Sequence, residues 1–555
     1  MNSAVAHFTR GRAFALGIVA LRACMAMAQE PQAADAPAVR PIYIQEFRVV
    51  GARLLNESEI GEAVYPFLGP GRTPKDVDDA RAALEKAYHD KGFQTVGVQI
   101  PKQEVKYGVV FLQAVERRVG RLRVRGSRYF SLDQIKKHAP SVAEGKVPDF
   151  NEITRDIVAL NQWQDRRVTP VLKPGIEPDT VDIDLNVKDS LPLHGSLELN
   201  NRYNANTTPL RLNGSVSYGN LWQLGHAAGF SFQLAPERLE DAKVFSGYYI
   251  VRFPGVTGFS VMFLGTKQDS NVSTLGGVSS AGRGNILGAR AMFTLPSKKN
   301  FFHSASLGFD YKQFDEDVTI GGTKLITPIT YYPLTASYNA TWVGERTTTE
   351  LNGSVNFATR YAGSRGTAFD AKRFRANGNY VYFRGDLSHT RTLPPDFQLF
   401  GRKLLPGFQL FGKIQGQIAD QPLINSEQFG GGGLGTARGY LESDVLGDNA
   451  IFGSAEVRTP SVLPEVKKGG DEKNPDDRTG NEWRFYGFVD AGVLTLHNPL
   501  PEQTWRFPLA SVGVGSRVRF RNHFGGSIDV GIPLTGQNLT NVHETRVTFR
   551  LTADF

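Results

Sequence analysis

The chain has 555 residues, of which 40% are apolar and 11% aromatic, a composition that excludes an intrinsically disordered protein. Its 59 glycines, 36 phenylalanines and 18 tyrosines favour β-structure. The net charge of +8 is modest for this length and no dense basic run is present, so a nucleic-acid partner has no support.

The N-terminus has the order of a secretory signal. Arg10 and Arg12 precede an apolar run at residues 13–21, and small residues follow up to Ala28. We therefore predict a signal peptide over residues 1–28, with cleavage after Ala28. Residues 29–41 form a short linker that is too polar to pack.

Cys24 is the only cysteine and would leave with the signal. The mature protein would then have no disulfide, no thiol nucleophile and no thiolate metal site. The order Leu21 to Cys24 also resembles a lipoprotein site, although Arg22 disfavours that alternative. No later segment approaches the roughly 20 apolar residues of a membrane helix, so a membrane-embedded form must be a barrel.

Two related units follow the linker. The segments Phe47–Gly51 and Leu122–Gly126 begin about 75 residues apart, which indicates an internal repeat. Each unit has the pattern strand, helix, helix, strand, strand. The predicted strands are residues 42–50, 95–100 and 109–115, then 168–172 and 181–187; the predicted helices are 56–65 and 73–91, then 132–138 and 150–164.

From Leu193 onward, apolar and polar residues alternate. In the final segment Val547, Phe549 and Leu551 alternate with arginines and threonines, and the chain ends on Phe555. Such alternation predicts strands with one apolar face. A soluble sandwich would turn that face inward and a membrane barrel would turn it towards lipid, so the pattern alone leaves both open.

The number of segments favours a closed barrel. Residues 189–555 contain about sixteen alternating segments, and an open sheet of that size would expose long apolar edges. Connections at one end are predicted to be short, as at 253–255 and 344–346, whereas 267–284 and 419–448 at the other end are long. The long segment 460–481 is an exception, because it falls at the short end.

The most informative stretch is Gln428–Asp448. Four glycines, Gly430–Gly433, precede a Thr-Ala-Arg-Gly-Tyr sequence that contains Arg438, Gly439 and Tyr440. Glycine lets a backbone fold back and approach a wall closely, and a charged residue on such a loop needs a partner. Asp490, in a strand-like segment, is the expected acceptor for Arg438. Glu456 is a possible second acceptor, or a carboxylate solvated in the lumen. A flexible surface loop with a solvated arginine is the competing interpretation.

These motifs resemble one known family, the outer-membrane transporters of two-partner secretion (TpsB), also called the haemolysin secretion/activation group. The resemblance covers nearly all of the mature chain. It depends on the following segments, taken together: Tyr88 with Gly92–Phe93, Ile100–Pro101 with Gln103, Val105 and Gly108, Ala437–Tyr440 with Gly447–Asp448, Phe488–Gly492 and the terminal Phe555.

The resemblance implies two N-terminal α+β POTRA domains, residues 42–118 and 119–188, followed by a sixteen-stranded antiparallel transmembrane β-barrel, residues 189–555. The loop 419–448 would fold into the lumen and dock Arg438 on Asp490. The protein would lie in the outer membrane with its POTRA domains in the periplasm. The domains would recognise an unfolded partner exoprotein, a β-helical adhesin or haemolysin, and the barrel would secrete it. The family also implies contact with outer-membrane lipid and insertion by the barrel-assembly machinery.

Two departures from the family pattern matter. Some relatives carry an N-terminal plug helix, but residues 29–40 are too short and too rich in Pro and Ala to form one. The family loop motif usually begins with Val, where this chain has Ala437. Gln103 is a tentative cargo-binding residue, with strand-end capping as its alternative role.

Other function classes have less support. No nucleophile or metal-ligand motif is present, so we predict neither an enzyme nor a cofactor or metal requirement. A passive porin would not need two N-terminal α/β units. An outer-membrane assembly or insertion factor of the same superfamily remains the alternative, because it shares the loop and strand motifs.

Overall fold

The computed structural model describes residues 41–555 except for 254–255, 257, 271, 274–279, 282, 321–322, 361–362, 400–401, 404–405, 464–465, 468–477 and 538. The predicted signal peptide and nearly all of the predicted linker therefore lie outside the described residues. The chain divides into two compact units, Met1–Arg117 and Arg118–Phe555. None of the helices in the described ranges is long and apolar enough to cross a membrane.

The first unit is a small α/β fold. Its helices are α1 (Glu57–Val64) and α2 (Pro74–Asp90), and its main sheet has the order Glu46–Val50, Val109–Val115, Gly97–Gln99. Asn56 starts α1, because its side chain accepts from the backbone N–H of Glu59 while the Glu59 side chain accepts from the backbone N–H of Asn56. The strand predicted over 42–50 is divided at Gln45, since Ile42–Ile44 pairs separately with Gly69–Arg72.

The fold of the first unit is repeated over residues 118–189. Its helices are α3 (Leu132–Lys137) and α4 (Phe150–Leu160), and its sheet has the order Arg118–Arg125, Thr180–Asp189, Arg166–Pro174. The predicted helix 150–164 ends early, because the Asn161 side chain pairs with both backbone groups of Val168 at 2.6 and 2.9 Å. This pairing starts the following strand in place of another helical turn.

The repeat is also visible in the backbone. Gly51 and Gly126 have φ values of 86° and 84°, and a Cβ atom on either would lie 2.5 Å from a carbonyl oxygen, of Ala114 and Val187 respectively. Both glycines therefore end a strand where only glycine fits. In each unit the strand before this glycine pairs in parallel with the last strand of the unit.

Within the described residues, sixteen antiparallel strands close into a barrel, and we number them β1–β16. They are β1 (Leu193–Asn200), β2 (Arg211–Leu221), β3 (His226–Leu234), β4 (Ala242–Arg252), β5 (Phe259–Ser270), β6 (Arg283–Thr294), β7 (Phe301–Ile320), β8 (Thr323–Tyr331 and Leu334–Val343), β9 (Thr347–Ala358), β10 (Tyr380–Thr392), β11 (Gln409–Ala419), β12 (Asn449–Arg458), β13 (Glu482–Thr495), β14 (Arg506–Phe520), β15 (Phe524–Pro533) and β16 (Arg546–Asp554). The two parts of β8 form one strand, because both pair with β7 in the same register. β16 pairs with β1 and closes the barrel.

The apolar face of the barrel strands points outward. Leu307, Ile414 and Val514 are each about 60% exposed on the outside of the barrel, at 59%, 58% and 62%. Asp490 and Asp529 lie on the opposite, inward face of their strands and are buried. A soluble sandwich would have the reverse arrangement, so the barrel has the faces of a membrane-spanning one.

The two ends of the barrel differ less in loop length than predicted. We call the end where β1 begins the entry end, and the opposite end the far end. At the entry end 344–346 is short, but 459–481 is long, as noted from the sequence, and 393–408 is long as well. The connection 393–408 contains a small hairpin in which Gln398–Leu399 pairs with Arg402–Lys403. The predicted connections 253–255 and 267–284 fall partly outside the described residues.

Residues 118–189 pack against the entry end of the barrel. The Gln223 side chain, in the turn after β2, accepts from the backbone N–H of Ser131 at 2.9 Å and donates to the Tyr129 carbonyl at 3.1 Å. His194, at the start of β1, lies 2.9 Å from an Asp165 carboxylate oxygen. The second α/β unit is thus fixed at the entry end of the barrel, where β1 begins.

Candidate functional site

The far-end connection between β11 and β12 folds back into the barrel. We call residues 420–448 the lumen loop, and most of its side chains are buried. Its base is a short hairpin in which Phe429–Gly431 pairs with Val445–Gly447. Gly432 then turns with φ of 108°, and a Cβ there would lie 2.3 Å from the Leu441 carbonyl oxygen. The glycine run therefore serves a tight reversal inside the lumen.

Asp448 holds the base of this loop. Its buried carboxylate accepts from the backbone N–H groups of Leu423, at 2.9 Å, and His497, at 2.7 Å. It also accepts from the Gln428 side chain at 2.9 Å. The two ends of the lumen loop are therefore joined to each other and to the chain after β13.

Arg438 contacts the wall on β13. Its Nε donates to one Asp490 carboxylate oxygen at 2.8 Å and its Nη2 to the other at 2.7 Å, while the Arg438 backbone N–H adds a third bond at 3.0 Å. The guanidinium also lies over the Phe488 ring, 3.6 Å from its centroid. The Arg438 side chain is 7% exposed and that of Asp490 1%, so this is a buried, paired ion pair.

Glu456 joins the same group from β12. It accepts from Arg438 Nη1 at 2.5 Å and, through its other oxygen, from Arg458. The structure thus brings Glu456 together with Arg438 and Asp490. Burial acts to lower the pKa of Arg438, but the hydrogen bonds and charge of Asp490 and the charge of Glu456 raise that pKa above its ordinary value. Arg438 therefore stays cationic.

Gly439 and Tyr440 complete the contact with the wall. Gly439 has φ of 95°, and a Cβ there would lie 3.0 Å from the carbonyl carbon of Gly531 on β15. The Tyr440 hydroxyl donates to the Thr535 carbonyl at 2.6 Å and accepts from the Ala510 backbone N–H at 3.2 Å. Glycine at 439 permits the close approach, and the tyrosine fixes the loop against β14 and the connection after β15.

Gln103 belongs to the first compact unit. Its side-chain amide donates to the Phe111 carbonyl at 2.8 Å and accepts from the Phe111 N–H at 2.7 Å. Its polar atoms are therefore engaged with the central strand of the sheet, as strand-end capping requires. Its role in cargo binding remains a prediction.

Several residues of the site were missed from the sequence. Asp529 on β15 lies 3.6 Å from Arg438 Nη1, and Ser454 Oγ accepts from Arg438 Nη2 at 3.0 Å. Arg202, after β1, pairs with Glu442 of the lumen loop at 2.7 Å. Only Asp529 had a sequence signal, because Ile528 to Gly531 has the same order of apolar residue, Asp, apolar residue and Gly as the segment around Asp490.

Comparisons with protein-family models match two parts of the chain. A model described as "Haemolysin secretion/activation protein ShlB/FhaC/HecB" matches residues 179–518. A second, described as "POTRA domain, ShlB-type", matches residues 42–116.

Individual proteins show weaker similarity over long stretches. The outer membrane transporter CdiB of Dickeya dadantii is 21% identical over 466 residues, which cover 77% of this chain and 74% of that protein. The heme/hemopexin transporter protein HuxB of Haemophilus influenzae is 20% identical over 395 residues, covering 69% and 66%.

Two solved structures have the same fold. CdiB from Escherichia coli superposes with a TM-score of 0.61 at 17% identity, covering 95% of this chain and 93% of that one. BamA from Haemophilus ducreyi, lacking POTRA domains 1–3, superposes with a TM-score of 0.54 at 13% identity, covering 93% and 100%.

Proposed function

The chain belongs to the haemolysin secretion/activation protein family (ShlB/FhaC/HecB), and we propose that this outer-membrane transporter of two-partner secretion receives its exoprotein unfolded at the POTRA region and exports it past the lumen loop. The family match over residues 179–518 is the observation that carries the function. The anchored loop inside the barrel supports the route, because it occupies the space that an exported chain must cross.

The first unit offers an edge for cargo. Glu46–Val50 is an outer strand of its sheet, and among the described residues its other edge has no strand partner. Arg48 and Val50 on this strand are exposed. An extended polypeptide can add to such an edge through main-chain hydrogen bonds, while side chains supply selectivity. This mode requires an unfolded cargo, which is the form in which a β-helical adhesin or haemolysin would arrive.

The second α/β unit would hand the cargo to the barrel. Its contacts with the turn after β2 hold it beside the entry end. Arg438, bound to Asp490 and Glu456, would then keep the tip of the lumen loop docked on the barrel wall. Two POTRA domains, over 42–118 and 119–188, are part of this proposal.

Other partners follow from the barrel itself. Its outward side chains are large and apolar, as lipid contact requires. Insertion into the outer membrane would use the barrel-assembly machinery. Family members are transporters, and we assign this chain no catalytic activity of its own.

An assembly factor for other barrels has less support. The superposition on BamA at 13% identity shows a shared fold alone. The matched family model and the named transporters both favour secretion.

Inspection of the neighbouring reading frames for a large β-helical exoprotein, followed by co-expression with that exoprotein, tests the proposal. We expect this exoprotein in the culture medium only when the transporter is present. If the exoprotein stays in the periplasm and the assembly of other outer-membrane barrels depends on this chain, the assembly function is correct instead.

A further inference from the structure

Another buried carboxylate, Glu427, also holds the lumen loop against the barrel wall. One of its oxygens, Oε1, accepts from the Tyr331 hydroxyl at 2.6 Å and from Lys312 Nζ at 2.6 Å. The other, Oε2, accepts from the Tyr382 hydroxyl at 2.7 Å. The Glu427 side chain is 2% exposed, so its charge depends on these partners.

The contact is charged. Burial acts to raise the pKa of Glu427, but the charge of Lys312 and the hydrogen bonds from Lys312, Tyr331 and Tyr382 lower it below its ordinary value. Glu427 is therefore ionised at neutral pH, and its Oε1 lies within ion-pair distance of Lys312 Nζ.

The Glu427 contact involves different strands of the barrel wall from the Arg438 contact. The partners of Glu427 are on β7, β8 and β10, whereas Glu456 and Asp490 are on β12 and β13. The two contacts also have opposite sign, since the loop supplies the anion at Glu427 and the cation at Arg438. The lumen loop thus contacts two separate groups of wall strands, through Glu427 at one group and through Arg438 at the other.

The two contacts are not equally hard to break. Withdrawal of Arg438 would leave Asp490, Glu456 and Asp529 close together without the cation that lies between them. Withdrawal of Glu427 leaves one lysine, whose side chain is already 17% exposed, and two neutral tyrosine hydroxyls. Mutual repulsion of buried carboxylates makes the first withdrawal more costly.

We propose that Glu427 is the releasing anchor of the lumen loop: export opens the barrel by freeing Glu427 from Lys312, Tyr331 and Tyr382 while Arg438 stays bound to Asp490. Glu427 and Lys312 are thus positioning residues that set how often the lumen is open. The inference rests on the proposed export function for its link to cargo, but the state of the loop can be measured without cargo.

Single-channel recording of the purified full-length protein in planar bilayers tests the release. Glu427→Gln keeps the shape of the side chain and removes its charge. We expect the open fraction to rise about tenfold, the population change that accompanies about 1.4 kcal/mol. Lys312→Met should give a similar rise, and the double variant should add little to either, because the two residues act as a unit. Glu350→Gln, at an exposed carboxylate of β9, is the matched control and should leave the open fraction unchanged.

Cysteine labelling gives an independent measurement. Leu423 in the lumen loop is fully buried. In a Cys24→Ser background, we expect Leu423→Cys to be protected from a membrane-impermeant maleimide and to become reactive when Glu427→Gln is added. A heat-dependent mobility shift on gels shows that each variant has folded.

Two results would overturn the inference: folded Glu427→Gln and Lys312→Met variants with the open fraction of the Glu350→Gln control, or continued protection of the cysteine at position 423 in the Glu427→Gln variant. Failure of the wild type to export any exoprotein would instead refute the proposed function, while these two measurements would still report on the loop.

Discussion

Replacing Arg438 by alanine removes the one cation that three buried carboxylates share. Asp490 would lose the two bonds of 2.7 and 2.8 Å that it accepts from the Arg438 side chain, and Glu456 would lose its bond of 2.5 Å with Arg438. Asp529, 3.6 Å from the guanidinium, would lose its nearest positive charge. The 3.6 Å contact with the Phe488 ring would also disappear.

The magnitude follows from burial. Removal of one partner of a buried ion pair costs about 3 to 5 kcal/mol, and water in the lumen reduces this. Taking about 3 kcal/mol, the docked position of the loop loses about a hundredfold in population. Replacing Asp490 by alanine breaks the same bidentate pair and leaves Arg438 with Glu456. The two single variants should therefore be similarly impaired, and the double variant little worse than either.

The assay is secretion of the partner exoprotein, measured beside membrane insertion. We expect Arg438→Ala and Asp490→Ala each to reduce the secreted fraction while the barrel still shows its heat-dependent mobility shift. Arg438→Lys should be intermediate, since an ammonium keeps the charge and loses the bidentate geometry. Arg391→Ala, at an exposed arginine of β10, is the control. Additive defects in the double variant, or normal secretion by Arg438→Ala, would refute the reasoning.

The remaining predictions concern the barrel, the first unit and the loop tip. The mature protein should fractionate with the outer membrane and migrate differently before and after heating; soluble periplasmic material would contradict the barrel. Deletion of residues 42–116 should abolish export and leave the barrel inserted, and undiminished export would exclude a receiving role for the first unit. Gly439→Ala should destabilise loop docking, because φ is 95° and the new Cβ would lie 3.0 Å from Gly531. Unchanged secretion and channel opening in that variant would show that the close approach is unimportant.

The sequence predicted well the strands and helices, whose formation depends on residues close in the chain. Period-two alternation identified the barrel strands, because side chains of a strand alternate between its faces. The two α/β units followed from the predicted helices, such as 56–65 and 73–91, and from the repeated segments that end on Gly51 and Gly126. Two elements of these units differ from the prediction: the helix predicted to reach residue 164 ends near Asn161, whose side chain bonds to Val168 of the next strand, and the strand predicted over 42–50 is divided at Gln45.

The loop contact was predicted in outline. The pairing of Arg438 with Asp490, 52 residues apart, was inferred because a cation on an inward loop needs an acceptor. The sequence left two roles open for Glu456, a second acceptor for Arg438 or a carboxylate solvated in the lumen. In the structure Glu456 accepts a hydrogen bond from Arg438. The role of the Arg438 contact in secretion stays a prediction.

By itself, the sequence determined which residues form strands, which glycines permit a folded-back loop and which side chains carry charge. These properties depend on neighbours a few positions away. Only the tertiary structure decided that the apolar face points outward, that Asp529 joins Arg438, and that Glu427 meets Lys312 across 115 residues. The physical reason is closure: strand register around the whole barrel sets which inward positions come level with one another inside the lumen, and no short segment contains that information.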